Sequence, residues 1–249
     1  MLASAVFYLG ISVAMFGSGL LFKPIKRLRV PTRRRALAIA AAGLILAVVA
    51  LRLPVFESRA SRATTWLDAF MPVWQFRERH TIRIAAPPPQ VFDAIRRVRA
   101  NEIQLFQTLT WIRRGGRRAP PGGILNPGDR EPIIDVATRS GFVRLADDGD
   151  RELVIGTVVV VPPGTRGTLT QEVFQESLPP GFALAAMNFL VTGDGAGGSR
   201  VSTETRVFAN SDPARRRFAA YWRVIYPGSA IIRRMWLQAI ARRATSAAQ

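Results

Sequence analysis

The chain contains a single histidine, His80, and no cysteine. A serine triad or a general-base mechanism that needs an imidazole would therefore have to use His80. The absence of cysteine excludes thiol catalysis, disulfide bonds and cysteine-based metal sites. No cluster of carboxylates at ligand spacing accompanies the single histidine, so we expect neither a metal ion nor a cofactor. We interpret His80 as a structural or cavity-lining residue.

Two charged residues, Glu204 and Arg206, lie two positions apart in a strand-like segment and therefore share one face of that strand. If this face lines a cavity, the pair would bind the polar head of a ligand. If it is the outer face, the two side chains form an ion pair that is worth little to stability. The residue types leave both interpretations open. Trp222 and Trp236 lie on the apolar stripe of a long C-terminal helix, where core packing is compatible with lining a pocket.

Two further segments resemble functional loops but are interpreted as turns. The acidic residues within 147–152 lack the spacing of an EF-hand loop and indicate a solvated turn. The glycine-rich residues 193–198 lack the lysine and hydroxyl residue of a phosphate-binding loop and lie between two predicted strands, as a hairpin turn does. Neither segment predicts catalysis or metal binding.

The elements that carry these residues follow from periodicity. Alternation in 77–86 puts His80 on one face of a half-buried strand. Asn101 is placed to cap a helix. A long helix runs from residue 212 towards residue 244, with a kink or a short break expected at Pro227. This order predicts an α+β domain with an antiparallel sheet. The other predicted elements are a helix at 90–99, a short helix within 132–140, and strands at 142–145, 152–161, 169–176, 183–192 and 200–209.

The N-terminal region is the most apolar part of the chain. Residues 1–22 contain no charged side chain, and 36–51 form a second uncharged run; each is close to the roughly 20 residues that span a bilayer. A signal peptide fits the first run poorly, because the basic residues follow it rather than precede it. We therefore predict a multi-pass cell-membrane protein with two transmembrane helices in 1–56. The basic, membrane-surface loop between them, 23–35, contains Lys23, Lys26, Arg27, Arg29, Arg33, Arg34 and Arg35.

The distribution of charge predicts orientation and partners. By the positive-inside rule, the basic loop lies in the cytoplasm, so the globular domain is expected to be extracytoplasmic. The net charge of +18 suits anionic lipid better than nucleic acid, because the aromatic residues lie on predicted buried stripes rather than among the arginines. Residues 57–75 form a linker. Within it, Trp66, Phe70 and Trp74 recur at helical spacing, which fits both an interfacial amphipathic helix and a segment packed on the domain.

The motifs in 80–87 and 91–92, which read as a first strand and a helix entry, are followed by strand motifs at 181–189 and 203–207 and a helical motif at 221–234. Together they resemble the START-like superfamily, also called SRPBCC or polyketide cyclase-like, which has the helix-grip fold. The resemblance implies a sheet curled around the C-terminal helix and a mostly apolar cavity between them. It also implies binding of a lipid, steroid, polyketide or similar molecule, sometimes with cyclase chemistry. The candidate cavity residues are His80, Glu204, Arg206, Trp222 and Trp236.

The sequence thus predicts two transmembrane helices in 1–56, a linker at 57–75 and a START-like domain at 76–249. Three functions stay open. The first is membrane-anchored binding of a hydrophobic small molecule or lipid. The second is an enzyme of cyclase or hydrolase type that uses His80, with Glu204 or Arg206 assisting. The third is a structural or interaction protein at the membrane. The sequence names neither the ligand nor the oligomeric state.

Overall fold

A computed structural model describes residues 2–22, 32–117, 119–165 and 167–246 of the chain. The chain divides into two compact units. The anchor unit comprises residues 1–55 and 216–227, and the sheet unit comprises residues 56–215 and 228–249. The helices are α1 (Leu2–Phe22), α2 (Arg33–Arg52), α3 (Trp66–Phe70), α4 (Pro88–Arg97), α5 (Phe106–Arg113), α6 (Ile133–Arg139) and α7 (Asp212–Ser246). The strands are β1 (Ser58–Arg59), β2 (Val73–Trp74), β3 (Phe76–Ile84), β4 (Val143–Asp148), β5 (Glu152–Val160), β6 (Ala183–Gly193) and β7 (Ser199–Ala209).

Two apolar helices, α1 and α2, form most of the anchor unit, and both are long and apolar enough to cross a membrane. Glycines bring their backbones close together. A Cβ atom added to Gly10 would lie 2.6 Å from the backbone nitrogen of Ala47, and one added to Gly17 would lie 2.8 Å from the Cα of Ala40. Close approach at small residues is typical of helix pairs in membranes. The two predicted apolar helices are therefore present.

Only the end of the predicted basic loop belongs to the described residues. Arg33, Arg34 and Arg35 form the exposed first turn of α2. Thr32 caps this turn, because its hydroxyl accepts a hydrogen bond from the backbone nitrogen of Arg35. The other four membrane-surface candidates lie outside the described residues: Lys23, Lys26, Arg27 and Arg29.

Helix α7 is continuous and contains Pro227 in its interior. The sequence allowed a kink or a short break at this proline, and no break occurs. An interior proline removes one hydrogen bond of the helix and costs about 3 kcal/mol. Within the anchor unit, Arg223 of α7 donates hydrogen bonds to the carbonyls of Leu51, at 2.8 Å, and Leu53. Arg223 thereby satisfies carbonyl groups at the C-terminal end of α2 that have no partner inside that helix.

The sheet unit is built on five strands in the order β3-β7-β6-β5-β4, and every neighbouring pair is antiparallel. The sheet unit is therefore α+β, as predicted. The glycine-rich residues after β6 form the predicted hairpin turn, in which Gly193 pairs with Ser199. A carboxylate oxygen of Asp194 accepts hydrogen bonds from the backbone nitrogens of Ala196 and Gly198, each at 2.9 Å, and stabilises this turn.

One face of the sheet, the inner face, packs on α4, α6 and the later turns of α7. Alternation along β3 directs Glu78, His80 and Ile82 to this face, as predicted for His80, and places the intervening arginines on the other face. This face carries the larger of the two apolar cores of the sheet unit. Phe189 of β6 and Ile240 of α7 are among its fully buried residues.

The opposite, outer face is covered by the segment 57–75, for which a linker is predicted from the sequence. This segment contains β1, α3 and β2. Leu67 and Phe70 of α3 pack with Val154 and Phe174 in a second core. Burial of Phe70 favours a segment packed on the domain over a helix at the membrane interface.

The predicted cap at Asn101 is wrong. Asn101 lies within a 3₁₀ turn, Ala100–Glu102, and α5 begins only at Phe106. The residue before α5, Leu105, has a left-handed backbone conformation with φ of 60° and provides no side-chain cap. Cap rules depend on where the first helical turn begins, and here the chain first makes a separate tight turn.

The strand predicted at 169–176 is also wrong. This stretch is irregular apart from a 3₁₀ turn at Glu172–Phe174. Its apolar residues fill the outer core instead of extending the sheet. The ring of Phe174 lies so close to Gly156 that a Cβ added there would be 2.8 Å from the ring carbon Cε1. Apolar alternation is therefore not sufficient to distinguish a strand from a packed loop here.

Candidate functional site

A group of polar side chains lies between the inner face of the sheet and α7. It consists of Glu78, His80, Ser229 and Arg233, and we call it the inner polar cluster. The alternation of β3 places the first two on one face, and a spacing of four residues places the last two on one side of α7. Glu78 is only 3% exposed. One of its carboxylate oxygens lies 2.8 Å from Nε2 of His80, and the other accepts a hydrogen bond of 2.8 Å from the Ser229 hydroxyl.

Arg233 is the positive member of this cluster. Its guanidinium contacts the sulfur of Met187 and lies 5.6 Å from the centre of the Trp236 ring. Burial lowers the pKa of Arg233 to about 10; nearby Arg113 acts in the same direction, and Glu78 opposes the change. The guanidinium remains charged at neutral pH, and the cluster thus holds a cation next to an apolar core.

Two buried polar atoms next to this cluster have no hydrogen-bond partner among the described residues: Oγ1 of Thr203 and Nε1 of Trp236. Thr203 is 1% exposed and Trp236 is 5% exposed. The two are connected through Phe189, which is opposite Thr203 in the β6–β7 ladder and contacts the Trp236 ring edge-on at 5.1 Å between ring centres. Thr203 is also opposite His80 in the β3–β7 ladder. Buried polar groups normally have partners, so this pair requires an explanation.

Glu204 and Arg206 share one face of β7, as predicted, and that face is the outer one. A carboxylate oxygen of Glu204 accepts a hydrogen bond of 2.8 Å from Arg77 and one of 2.7 Å from Arg206. Arg206 also pairs with Asp68 of α3 at 2.8 Å, and its guanidinium lies 4.0 Å from the centre of the Trp74 ring. The buried ion network so formed is neither a ligand site on the inner face nor an exposed ion pair.

Paired arginines lower the pKa of both acids of the outer network. Burial by itself raises the pKa of Asp68, but hydrogen bonds from Arg206, the Thr64 backbone and Thr65, together with the charge of Arg206, lower it to about 2. Burial also raises the pKa of Glu204, and hydrogen bonds from Arg77 and Arg206 outweigh it, so the net pKa is lowered. Each of the two acids has an arginine within 2.8 Å, and Arg79 lies 3.7 Å from Glu204 at the exposed edge of the network.

A third acid on the outer side is Glu152, for which a solvated turn is predicted from the sequence. That interpretation is wrong for Glu152, since this side chain is fully buried. It accepts hydrogen bonds from the backbone nitrogens of Trp66, at 2.7 Å, and Leu67, at 3.2 Å, and from the side-chain amide of Asn188, at 2.7 Å. Glu152 thus stabilises the first turn of α3.

The structure does not bring the five candidate cavity residues together. His80 and Trp236 lie on the inner side of the sheet unit, and Glu204 and Arg206 lie on the outer side. Trp222 belongs to the anchor unit, where its ring is 5.7 Å from that of Tyr226 on the same helix. Their common role in ligand binding stays a prediction.

Sequence reasoning missed most of the inner site. Glu78 could have been found, because it is two residues before His80 on the same strand face. Ser229, Arg233 and Trp236 also occur at helical spacing along one side of α7. Thr203 carried no signal, because the lack of a partner for a hydroxyl depends on three-dimensional packing.

Two pockets of the sheet unit lie away from the inner polar cluster. The first, of about 280 Å³, is an apolar groove on the outer side, with Phe70, Phe182 and Phe208 in its lining. The second, of about 430 Å³, is a polar cleft between α4 and the end of α7, lined by residues such as Asp93 and Arg243. Neither is lined by a residue of the inner polar cluster.

Comparison with known proteins gives little similarity. No family model and no curated protein matches the chain. The chain is similar to the crystal structure of TTHA0849 from Thermus thermophilus, with 11% identity, a TM-score of 0.28, and coverage of 70% of this chain and 100% of that one. It is also similar to the crystal structure of Ara h 8.0201, with 12% identity, a TM-score of 0.22, and coverage of 69% and 98%. At these TM-scores, neither likeness supports an inference about ligand or function.

Proposed function

We propose that the protein is a membrane-anchored binding protein for a hydrophobic small molecule or lipid, held between the inner face of a helix-grip sheet and α7. One observation carries the proposal: Thr203 Oγ1 and Trp236 Nε1 are buried beside the inner polar cluster without partners among the described residues. A ligand that lies against Phe189 would supply those partners.

The energetic cost of burying these two atoms without hydrogen-bond partners supports the proposal. Each buried polar group without a partner costs about 1–3 kcal/mol, which is considerable against a total stability of about 5–15 kcal/mol. An indole nitrogen is only a donor, whereas a hydroxyl both donates and accepts. The ligand therefore has at least one acceptor atom. The surrounding core is apolar, so the rest of the ligand is hydrophobic.

Side chains of the protein occupy this region, so ligand binding requires them to move. Met187 and Met235 border the region, and methionine adapts its shape at low cost because its side chain is unbranched and flexible. Ile82 and Ile232 are only partly buried at the edge of the core. We assign the entrance for the ligand to this edge.

A wash-and-bind experiment on the full chain tests the proposal. The purified protein in detergent micelles is stripped of lipid, incubated with a total lipid extract, washed, and analysed by native mass spectrometry. We expect retention of an apolar species by the wild type, and a clear reduction in the Thr203→Val variant. Thr81→Val, at an exposed threonine on the outer side of the neighbouring strand β3, is the matched control. Equal retention by both variants, or no retention by the wild type, would overturn the proposal.

We further propose that α1 and α2 span the cell membrane and that the sheet unit is extracytoplasmic. Only 17% of the apolar window of α1 and 22% of that of α2 are buried within the protein, which differs from the core helices of soluble proteins. Large apolar side chains such as Met15 and Ile45 are exposed, and a bilayer would cover them. The orientation rests on the basic residues between the helices.

Cysteine labelling tests the orientation, because the native chain has no cysteine. Asp150→Cys places one thiol in an exposed turn of the sheet unit. In intact spheroplasts of the expression host, we expect a membrane-impermeant maleimide to label it. Labelling only after the membrane is opened would place the sheet unit in the cytoplasm.

An enzyme of the hydrolase type has less support. In a serine triad, the nucleophilic hydroxyl bonds to histidine, and the acid bonds to the other side of the imidazole. Here the Ser229 hydroxyl donates to Glu78, which also binds His80. The serine is therefore not activated by the imidazole in this arrangement, and we keep binding as the proposed function.

A further inference from the structure

Helix α5 and the residue directly before it carry large apolar side chains that are exposed in the sheet unit. Leu105 is 55% exposed, Trp111 51% and Ile112 57%. The opposite side of α5 is buried through Phe106 and Thr110. We call the three exposed residues, together with Arg113 and Arg117, the α5 surface.

The charge of this region is one-sided. Residues 103–128 contain four arginines and no aspartate or glutamate. Arg113 ends α5, and both it and Arg117 are exposed. Exposed apolar residues beside arginines, with tryptophan among them, are typical of protein segments that lie in the headgroup region of an anionic membrane.

The exposed apolar residues are held in defined positions. The Trp111 ring lies against Gly116, where an added Cβ would be 3.2 Å from ring carbon Cζ2. Leu105 is the one non-glycine residue with positive φ in the described part of the chain. A left-handed conformation is unfavourable for leucine, and burial within the protein does not compensate for it because the side chain is exposed. Insertion of Leu105 into a membrane would supply that burial.

We propose that the α5 surface docks on an anionic lipid surface. The arginines contact lipid phosphates, and Leu105, Trp111 and Ile112 enter the headgroup–acyl boundary. This inference goes beyond ligand binding on the inner face, because none of these residues belongs to the inner polar cluster. The occupant is a membrane rather than a protein, because the arginines match its charge and the same chain carries two helices able to cross a membrane.

A labelling experiment in nanodiscs tests this proposal on the full chain. Ile112→Cys and, as the control, Asp150→Cys are each labelled with an environment-sensitive fluorophore. The nanodiscs contain phosphatidylcholine with about 30% phosphatidylglycerol and a nitroxide-labelled lipid as quencher. We expect at least about threefold stronger quenching at position 112 than at position 150. Near-ultraviolet circular dichroism establishes that both labelled variants are folded.

A variant that removes one positive charge measures the electrostatic contribution to docking. Arg117→Gln in the Ile112→Cys background is expected to lower the ratio of docked to undocked protein about fivefold, which corresponds to one arginine near an anionic surface. Equal quenching at positions 112 and 150 would overturn docking. Equal quenching with and without phosphatidylglycerol would overturn the anionic requirement. Energy transfer between labelled chains in place of lipid quenching would assign the surface to a second copy and likewise overturn the proposal.

Discussion

The two faces of the sheet treat their buried polar groups differently. On the outer face, Asp68, Glu204 and Arg206 form a network in which each charged group has a partner of opposite charge. Next to the inner polar cluster, Thr203 and Trp236 each bury a polar atom that has no partner in the described structure. The charged groups of the outer network are therefore paired within the protein itself. The inner face has hydrogen-bonding capacity that a bound molecule could use.

The largest effect is expected from breaking the outer network. Arg206→Ala leaves Asp68 without its arginine and removes one of the arginines at Glu204, so the free energy of unfolding should fall by about 3–5 kcal/mol. Chemical unfolding of the full chain in detergent micelles, followed by tryptophan fluorescence, measures it. Arg79→Ala is the control, since Arg79 is half exposed and 3.7 Å from Glu204, and should cost less than about 1 kcal/mol. Similar losses in both variants would contradict a buried network.

The second-largest effect is expected from acid, which should weaken the outer network. The pKa of Asp68 is lowered from 3.8 to about 2 in the folded protein, so its contribution is present above pH 4 and is lost as the pH falls towards 2. The expected loss is about 2 kcal/mol. Unfolding free energies measured between pH 5 and pH 2 should show this decline, and Asp68→Asn should flatten it. An unchanged slope in Asp68→Asn would assign the acid sensitivity to other groups.

A smaller loss is expected within the inner polar cluster. Ser229→Ala removes one of the hydrogen bonds to the buried carboxylate of Glu78. Hydrogen bonds to charged groups contribute about 1.5 kcal/mol or somewhat more, so the free energy of unfolding should fall by about that amount. Thr245→Ala is the control because its hydroxyl lies on the exposed side of the same helix. If the free energy of unfolding falls equally little in both variants, the Ser229 hydroxyl does not stabilise the Glu78 carboxylate.

The smallest effect should have the opposite sign. Thr203→Val replaces a buried hydroxyl without a partner by a methyl group of similar size, so the ligand-free protein should become about 1 kcal/mol more stable. Thermal unfolding of the lipid-stripped chain measures this, with Thr81→Val as the control. Destabilisation by Thr203→Val would mean that the hydroxyl has a partner, such as an ordered water, and the contrast between the faces would disappear.

The contrast also explains which parts of the site could be predicted from sequence. Alternation along a strand indicates which residues share a face, so Glu204 was correctly grouped with Arg206. It does not indicate what covers that face, and the covering residue, Asp68, is distant in sequence. Likewise, apolar alternation predicts a strand at 169–176, and the prediction fails because the competition between sheet pairing and core packing is decided by neighbours such as Gly156.

The cap that Arg223 places on α2 has a consequence for the order of synthesis. The arginine and the Leu51 carbonyl that it binds are 172 residues apart. At the usual pace of translation, roughly 10 to 30 s pass between the synthesis of the two. Helix α2 is thus made well before Arg223, and the last carbonyls of its final turn have no partner until that side chain arrives. The anchor unit is therefore completed only after residue 223 has been added, well after its two apolar helices have been made.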